Sequence, residues 1–141
     1  MKARIIKEKL FYIATIGVSI LLLFFVITCS WISHEAKNQC QDARREYLPA
    51  GEQMAEFDCV EALISLLEDE DRGFRARNNA IWGLGQFGDS RALPVLKNYY
   101  TGNIPDREPL DEMISQYELK KAINLVSGGF NISAFIWRGK L

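Results

Sequence analysis

The sequence predicts an all-α protein: one membrane-spanning helix, then a small domain of amphipathic helices in pairs. Three observations predict it. Residues 10–33 contain no charged side chain. Beyond them, apolar residues recur at spacings of three and four, the period of a helix with one buried face. Short stretches also return along the chain: Ala62-Leu63 reappears as Ala92-Leu93, 30 residues on, and Asn79-Ala80-Ile81 as Lys121-Ala122-Ile123, 42 residues on.

The uncharged run is the first element. At about 1.5 Å per residue it spans roughly 36 Å, against a bilayer core of about 30 Å. Lys2, Arg4, Lys7 and Lys9 precede it, with only Glu8 against them. Basic residues resist translocation, so this flank (residues 1–9) predicts a cytoplasmic N-terminus and an extracytoplasmic domain. Lys37, Arg44 and Arg45 on the far side reduce that asymmetry. A cleaved signal and a lipoprotein signal ending at Cys29 are the rivals. The first has a shorter apolar core of about 7–15 residues. The second is at odds with Thr28, which is bulky for the position before a lipidated cysteine. A buried core helix is a poor reading, because so small a domain cannot cover every side of it.

The chain behind the run holds one domain's worth of residues, not two. Its 13 Lys and Arg stand against 17 Asp and Glu, a net charge of −4. That is the wrong sign for neutralising phosphates, so no nucleic-acid partner is expected. Cys40 and Cys59 are the two cysteines outside the apolar run. Outside the cytoplasm they make a candidate disulfide; as thiols they would serve as small core residues.

Residues 34–52 read as a juxtamembrane helix and linker. Ala36, Cys40, Ala43 and Tyr47 share one face, and Pro49-Ala50-Gly51 ends it. Residues 53–129 read as four further helices. The second helix of the chain, over 53–68, carries Phe57, Val60, Ile64 and Leu67 on one stripe. Glu68 to Asp71 form a solvated turn. The third, over 74–87, carries Ala76, Ala80, Leu84 and Phe87; Gly83 and Gly85 in it suit close approach of a neighbour. Gly88 suits a left-handed stop, and Asp89 or Ser90 a new cap. The fourth covers 90–100, with Pro94 near its first turn. The fifth covers 110–126, with Met113, Ile114, Tyr117, Ala122 and Leu125 inward. Residues 130–141 form an aromatic tail. It reads as a cap for the domain's end, with membrane-interface contact and partner docking as rivals.

The stretch from Ala76 to Leu96, with Arg77, Leu84-Gly85, Gly88-Asp89 and Ala92-Leu93-Pro94, resembles a HEAT-like repeat of the bilin-lyase-type subclass. Gly83 departs from it, standing where alanine is usual. The resemblance implies a short α-solenoid of HEAT-like helix pairs with a surface for protein partners. It also raises bilin-lyase-like chemistry as a distant alternative. The residues themselves point away from catalysis: His34 is the lone histidine, no phosphate-cradling loop follows a strand, and no cofactor or metal ligand set is spaced for binding. The expected function is therefore a membrane-tethered adaptor or scaffold that is not an enzyme. A structural subunit contacting partners through the anchor is the other reading. The expected partner-binding residues are Arg75, Asn78, Asn79, Trp82 and Gln86 on the third helix, and Tyr99 on the fourth. Trp82 is the favoured anchor, with packing beneath a neighbouring helix as its equal rival.

Overall fold

The computed structural model describes residues 2–47, 58–132 and 135–136. Its regular elements are α1 (Lys2–Tyr47), α2 (Cys59–Glu68), α3 (Phe74–Phe87), a 3-10 turn (Ser90–Ala92), α4 (Leu93–Tyr99) and α5 (Gln116–Val126). No strand occurs among the described residues.

The expected anchor and juxtamembrane helix form one continuous helix of 46 residues. No proline or glycine lies between Gly17 and Pro49 to interrupt it. Its two parts meet different surroundings. Every residue from 6 to 28 is exposed, and near the end of this apolar stretch Ile136 lines a groove with Phe25 and Val26 without burying them. The hydroxyls of Thr15, Ser19 and Thr28 donate to carbonyls one turn back, at 2.8, 2.9 and 2.8 Å. The stretch thus presents few unpaired polar groups. Further on, Ala36, Cys40 and Ala43 are buried against the domain.

Asp58 starts α2 by accepting the Val60 amide at 2.9 Å. The helix therefore begins at Cys59; the expected start at 53, like the linker up to 52, lies outside the described residues. The third helix has the expected bounds. Gly88 closes it in the left-handed region, with φ 65° and its amide on the Leu84 carbonyl at 2.9 Å. Asp89 then caps the next turn through the Arg91 amide. The first three residues of the expected fourth helix form the 3-10 turn, and Pro94 sits in the first turn of α4.

The fifth helix is shorter than expected. It begins at Gln116 rather than near 110 because its start is fixed by side chains. Ser115 caps the Glu118 amide at 3.0 Å, and the Glu108 carboxylate accepts the amides of Gln116 and Tyr117. Residues before Ser115 are drawn into a turn instead.

Leu63, Leu67, Ile81, Leu84, Leu96 and Leu119 are fully buried and form the core. Each such side chain contributes about 1.5–3 kcal/mol by leaving water. The third helix is central, packing against α1, α2 and α5. It runs antiparallel to α1: Trp82 and Phe87 meet Ala36, whereas Tyr47 reaches Asp69, ahead of the start of α3. It runs parallel to α5: Asn78 meets Ser115 and Gly85 meets Ala122. A Cβ on Gly85 would lie 3.0 Å from the Ala122 Cα, so the glycine sets this close approach.

Cys40 and Cys59 are joined in a disulfide with Cα atoms 5.1 Å apart, tying α1 to the start of α2. The Tyr47 hydroxyl donates to Asp69 at the other end of the same contact, at 2.5 Å. Burial and then this acceptor push the Tyr47 pKa up to about 12.

Candidate functional site

The third helix carries five of the six expected contact residues, and the structure divides them. Arg75 and Asn79 are exposed. Trp82, one turn further, is half-buried and packs on Ala36 of α1. These three lie on one stripe of α3. On one flank Asn79 shares a groove with Gln39, Asp42 and Glu46 of α1. On the other, Trp82 shares one with Glu118, Lys121 and Leu125 of α5. The stripe is thus a strip of α3 framed by two neighbouring helices.

The other expected residues make contacts within the protein. Asn78 is 3% exposed. Its amide nitrogen donates to the carbonyls of Leu110 and Met113, both at 2.8 Å, and its oxygen accepts the Ser115 amide at 2.9 Å. It holds the loop before α5, pairing the Leu110 and Met113 carbonyls and the buried Ser115 amide, which no helix bond satisfies. Gln86 is also buried, and its side-chain oxygen accepts from Asn131 at 3.2 Å, securing the start of the tail. Tyr99 belongs to another cluster. The Arg77 guanidinium stacks 5.6 Å from its ring centroid, and its backbone carbonyl accepts from Gln116 at 3.2 Å. Arg77, 7% exposed, donates its Nε proton to the Leu67 carbonyl at 2.8 Å. A carbonyl in the last turn of α2, left without an intrahelical partner, is thereby satisfied by the next helix.

A second charge cluster links helix starts. Arg91 hydrogen-bonds both Asp89 and Asp58, the caps of the 3-10 turn and of α2. These bonds hold the Asp89 carboxyl below the ordinary range, and push the Arg91 guanidinium higher.

Neighbouring helices are thus joined by side chains: Arg77 of α3 bonds the end of α2, Asn78 of α3 bonds the start of α5, and a disulfide joins α1 to α2. The family model for HEAT repeats matches residues 31–108. The chain belongs to the HEAT-repeat family. The match begins within α1, at residue 31, and so takes in the last 17 of that helix's 46 residues. No curated protein and no solved structure matches the chain significantly. HEAT repeats generally mediate protein–protein interaction, and that is the function class this membership carries.

Sequence reasoning missed the flanks of the stripe on the HEAT domain. The signal was present: the 42-residue offset that pairs Asn79 with Lys121 also places Lys121 at the equivalent position on α5. Lys121 is exposed there, bonded to Glu118 at 2.9 Å and 5.1 Å from the Tyr117 ring centroid.

Proposed function

We propose that the chain is a membrane-tethered HEAT module that binds a protein partner without catalysis. The apolar part of α1 would span the bilayer with its basic end in the cytoplasm. The paired helices would form a short solenoid outside it. Partner contact falls to Arg75, Asn79 and Trp82 on α3, with Lys121 on α5 and Asp42 on α1 at its edges. The observation that carries this reading is the conjunction of HEAT membership with an exposed polar–aromatic strip framed by α1 and α5. A half-buried tryptophan within polar neighbours is the composition of a binding anchor, since its ring is already ordered before the partner arrives.

The test is photo-crosslinking in intact cells, with a photoreactive residue placed in turn at Arg75, Asn79 and Lys97. Lys97 is exposed on α4, away from the strip. Protein adducts at 75 and 79 but not at 97 support the reading. Adducts equally at all three, or at none, remove it. The rival of a structural subunit draws on Gly17, whose Cβ direction is open in α1 and would admit another helix. Replacing residues 10–33 with an unrelated anchor keeps function in the first case and abolishes it in the second.

A further inference from the structure

We infer that Phe130 to Ile132, with Phe135 and Ile136, form a second, interfacial membrane contact, which docks the HEAT domain against the lipid surface beside its anchor. This rests on the membrane reading of α1. Three observations place the segment there. First, α3 and α5 both run back against the direction of α1, so the end of α5 returns toward the apolar half of that helix. The Asn131 side chain then bonds Gln86 at 3.2 Å, near the end of α3. Second, Ile136 lines a groove with Phe25, Val26, Cys29 and Ser30 of α1. Cys29 is the one buried residue between positions 6 and 31, and it is buried on the face where Ile136 lies. Third, the large apolar side chains of these residues are uncovered: Phe130 is 79% exposed, Ile132 54% and Phe135 74%.

Large apolar side chains held in water are costly, and scattered ones are ordinary. Here they gather where α1 changes from an exposed apolar helix to a packed one. His34 and Lys37 line the same groove, giving polar groups on the side away from the apolar run. Apolar and aromatic side chains beside basic ones suit the headgroup boundary, where one end of each contact is dry and the other wet. Phospholipid at that boundary is the occupant continuous with the surface that α1 already presents. With two contacts the domain would hold a fixed tilt on the bilayer.

The test uses full-length protein in liposomes, with Cys29 replaced by alanine and the Cys40–Cys59 bond left intact. A bimane probe is attached to a single new cysteine at Phe135, Tyr117 or Ile16, and lipids carrying a spin label near the headgroup or deep in the chain serve as quenchers. Tyr117 is exposed at the start of α5, roughly 13 Å along the helix from its end. The expected result is strong quenching at position 135 by the shallow label, strong quenching at 16 by the deep one, and none at 117. Quenching at 16 with position 135 open to an aqueous quencher overturns the inference and leaves the anchor standing. Shielding of 135 from both lipid and water overturns it in favour of a protein contact. Absence of lipid quenching at 16 removes the membrane reading itself.

Discussion

The two halves of α1 are the same helix in different company. From residue 6 to 28 every position is exposed, and the side chains are overwhelmingly apolar. From Ala36 to Tyr47 the helix is amphipathic, buries Ala36, Cys40 and Ala43, and is fastened to α2 by a disulfide and near its end by the Tyr47–Asp69 bond. Backbone geometry cannot tell these halves apart. Side-chain chemistry does: the first half stays exposed throughout, with Ile136 beside Phe25 and Val26 near its end, and the second half is covered on a single face. A helix that is apolar all round suits burial on every side, in a protein core or in lipid, whereas one with a stripe packs on a domain by that stripe.

The comparison breaks most visibly if the first half is charged. Leu21→Arg with Leu22→Arg should weaken membrane insertion by about 6 kcal/mol, at roughly 3 kcal/mol per buried arginine. The protein should leave the membrane fraction on alkaline washing, while its HEAT domain keeps the melting temperature of the wild type. The next effect belongs to the packed half. Cys40→Ala with Cys59→Ala opens a loop of 19 residues and should lower stability by about 3 kcal/mol on the chain-entropy account. Denaturant unfolding in detergent measures it, and membrane retention should not change.

Two glycines sharpen the comparison further, one of them facing α1. At Gly85 an added Cβ meets backbone, the Ala122 Cα at 3.0 Å; at Gly83 it meets the ends of the Leu63 and Gln39 side chains at 3.2 and 3.3 Å. Gly85→Ala should therefore lose about 1 kcal/mol, overpacking outweighing the gain in helix propensity. Gly83→Ala should stay within about 0.5 kcal/mol of wild type, because side chains of the packed half and of α2 can shift. Thermal unfolding of the two variants separates them. The smallest effect involves no residue of α1. The Asp89 carboxyl is held below its ordinary range by Arg91, so its contribution is present above a carboxylate pKa of about 3.9 and fades as acid protonates it. The stability gap between wild type and Asp89→Asn should shrink on titration from neutral pH toward pH 3. The pair is partly exposed, so the gap is small at the outset.

Local signals in the sequence read well where local chemistry decides. The bounds of α3, the left-handed Gly88 and the Asp89 cap are all properties of adjacent residues. The start of α5 was not legible, because it depends on Glu108 and on Asn78, a side chain 37 residues before Ser115. The same bond explains why the candidate site was only partly legible. Asn78 and Gln86 look like surface residues by type, yet α3 has neighbours on three sides and buries a wider arc than its apolar stripe suggests. Polar residues in that arc satisfy loops and the tail. Tyr99 is likewise occupied by Arg77. Arg75 and Asn79 remain exposed on the arc that no helix covers, with Trp82 half-buried at its edge.

The most direct test of the account is thiol accessibility along α1 in intact cells. Single cysteines at Lys7, Leu22 and Asp42, in a Cys29→Ala background, are treated with a membrane-impermeant maleimide before and after permeabilisation. The account predicts that position 42 reacts at once, position 7 reacts only after permeabilisation, and position 22 does not react in either state. Equal reaction at 22 and 42 would show that water surrounds both halves of the helix, and would contradict it.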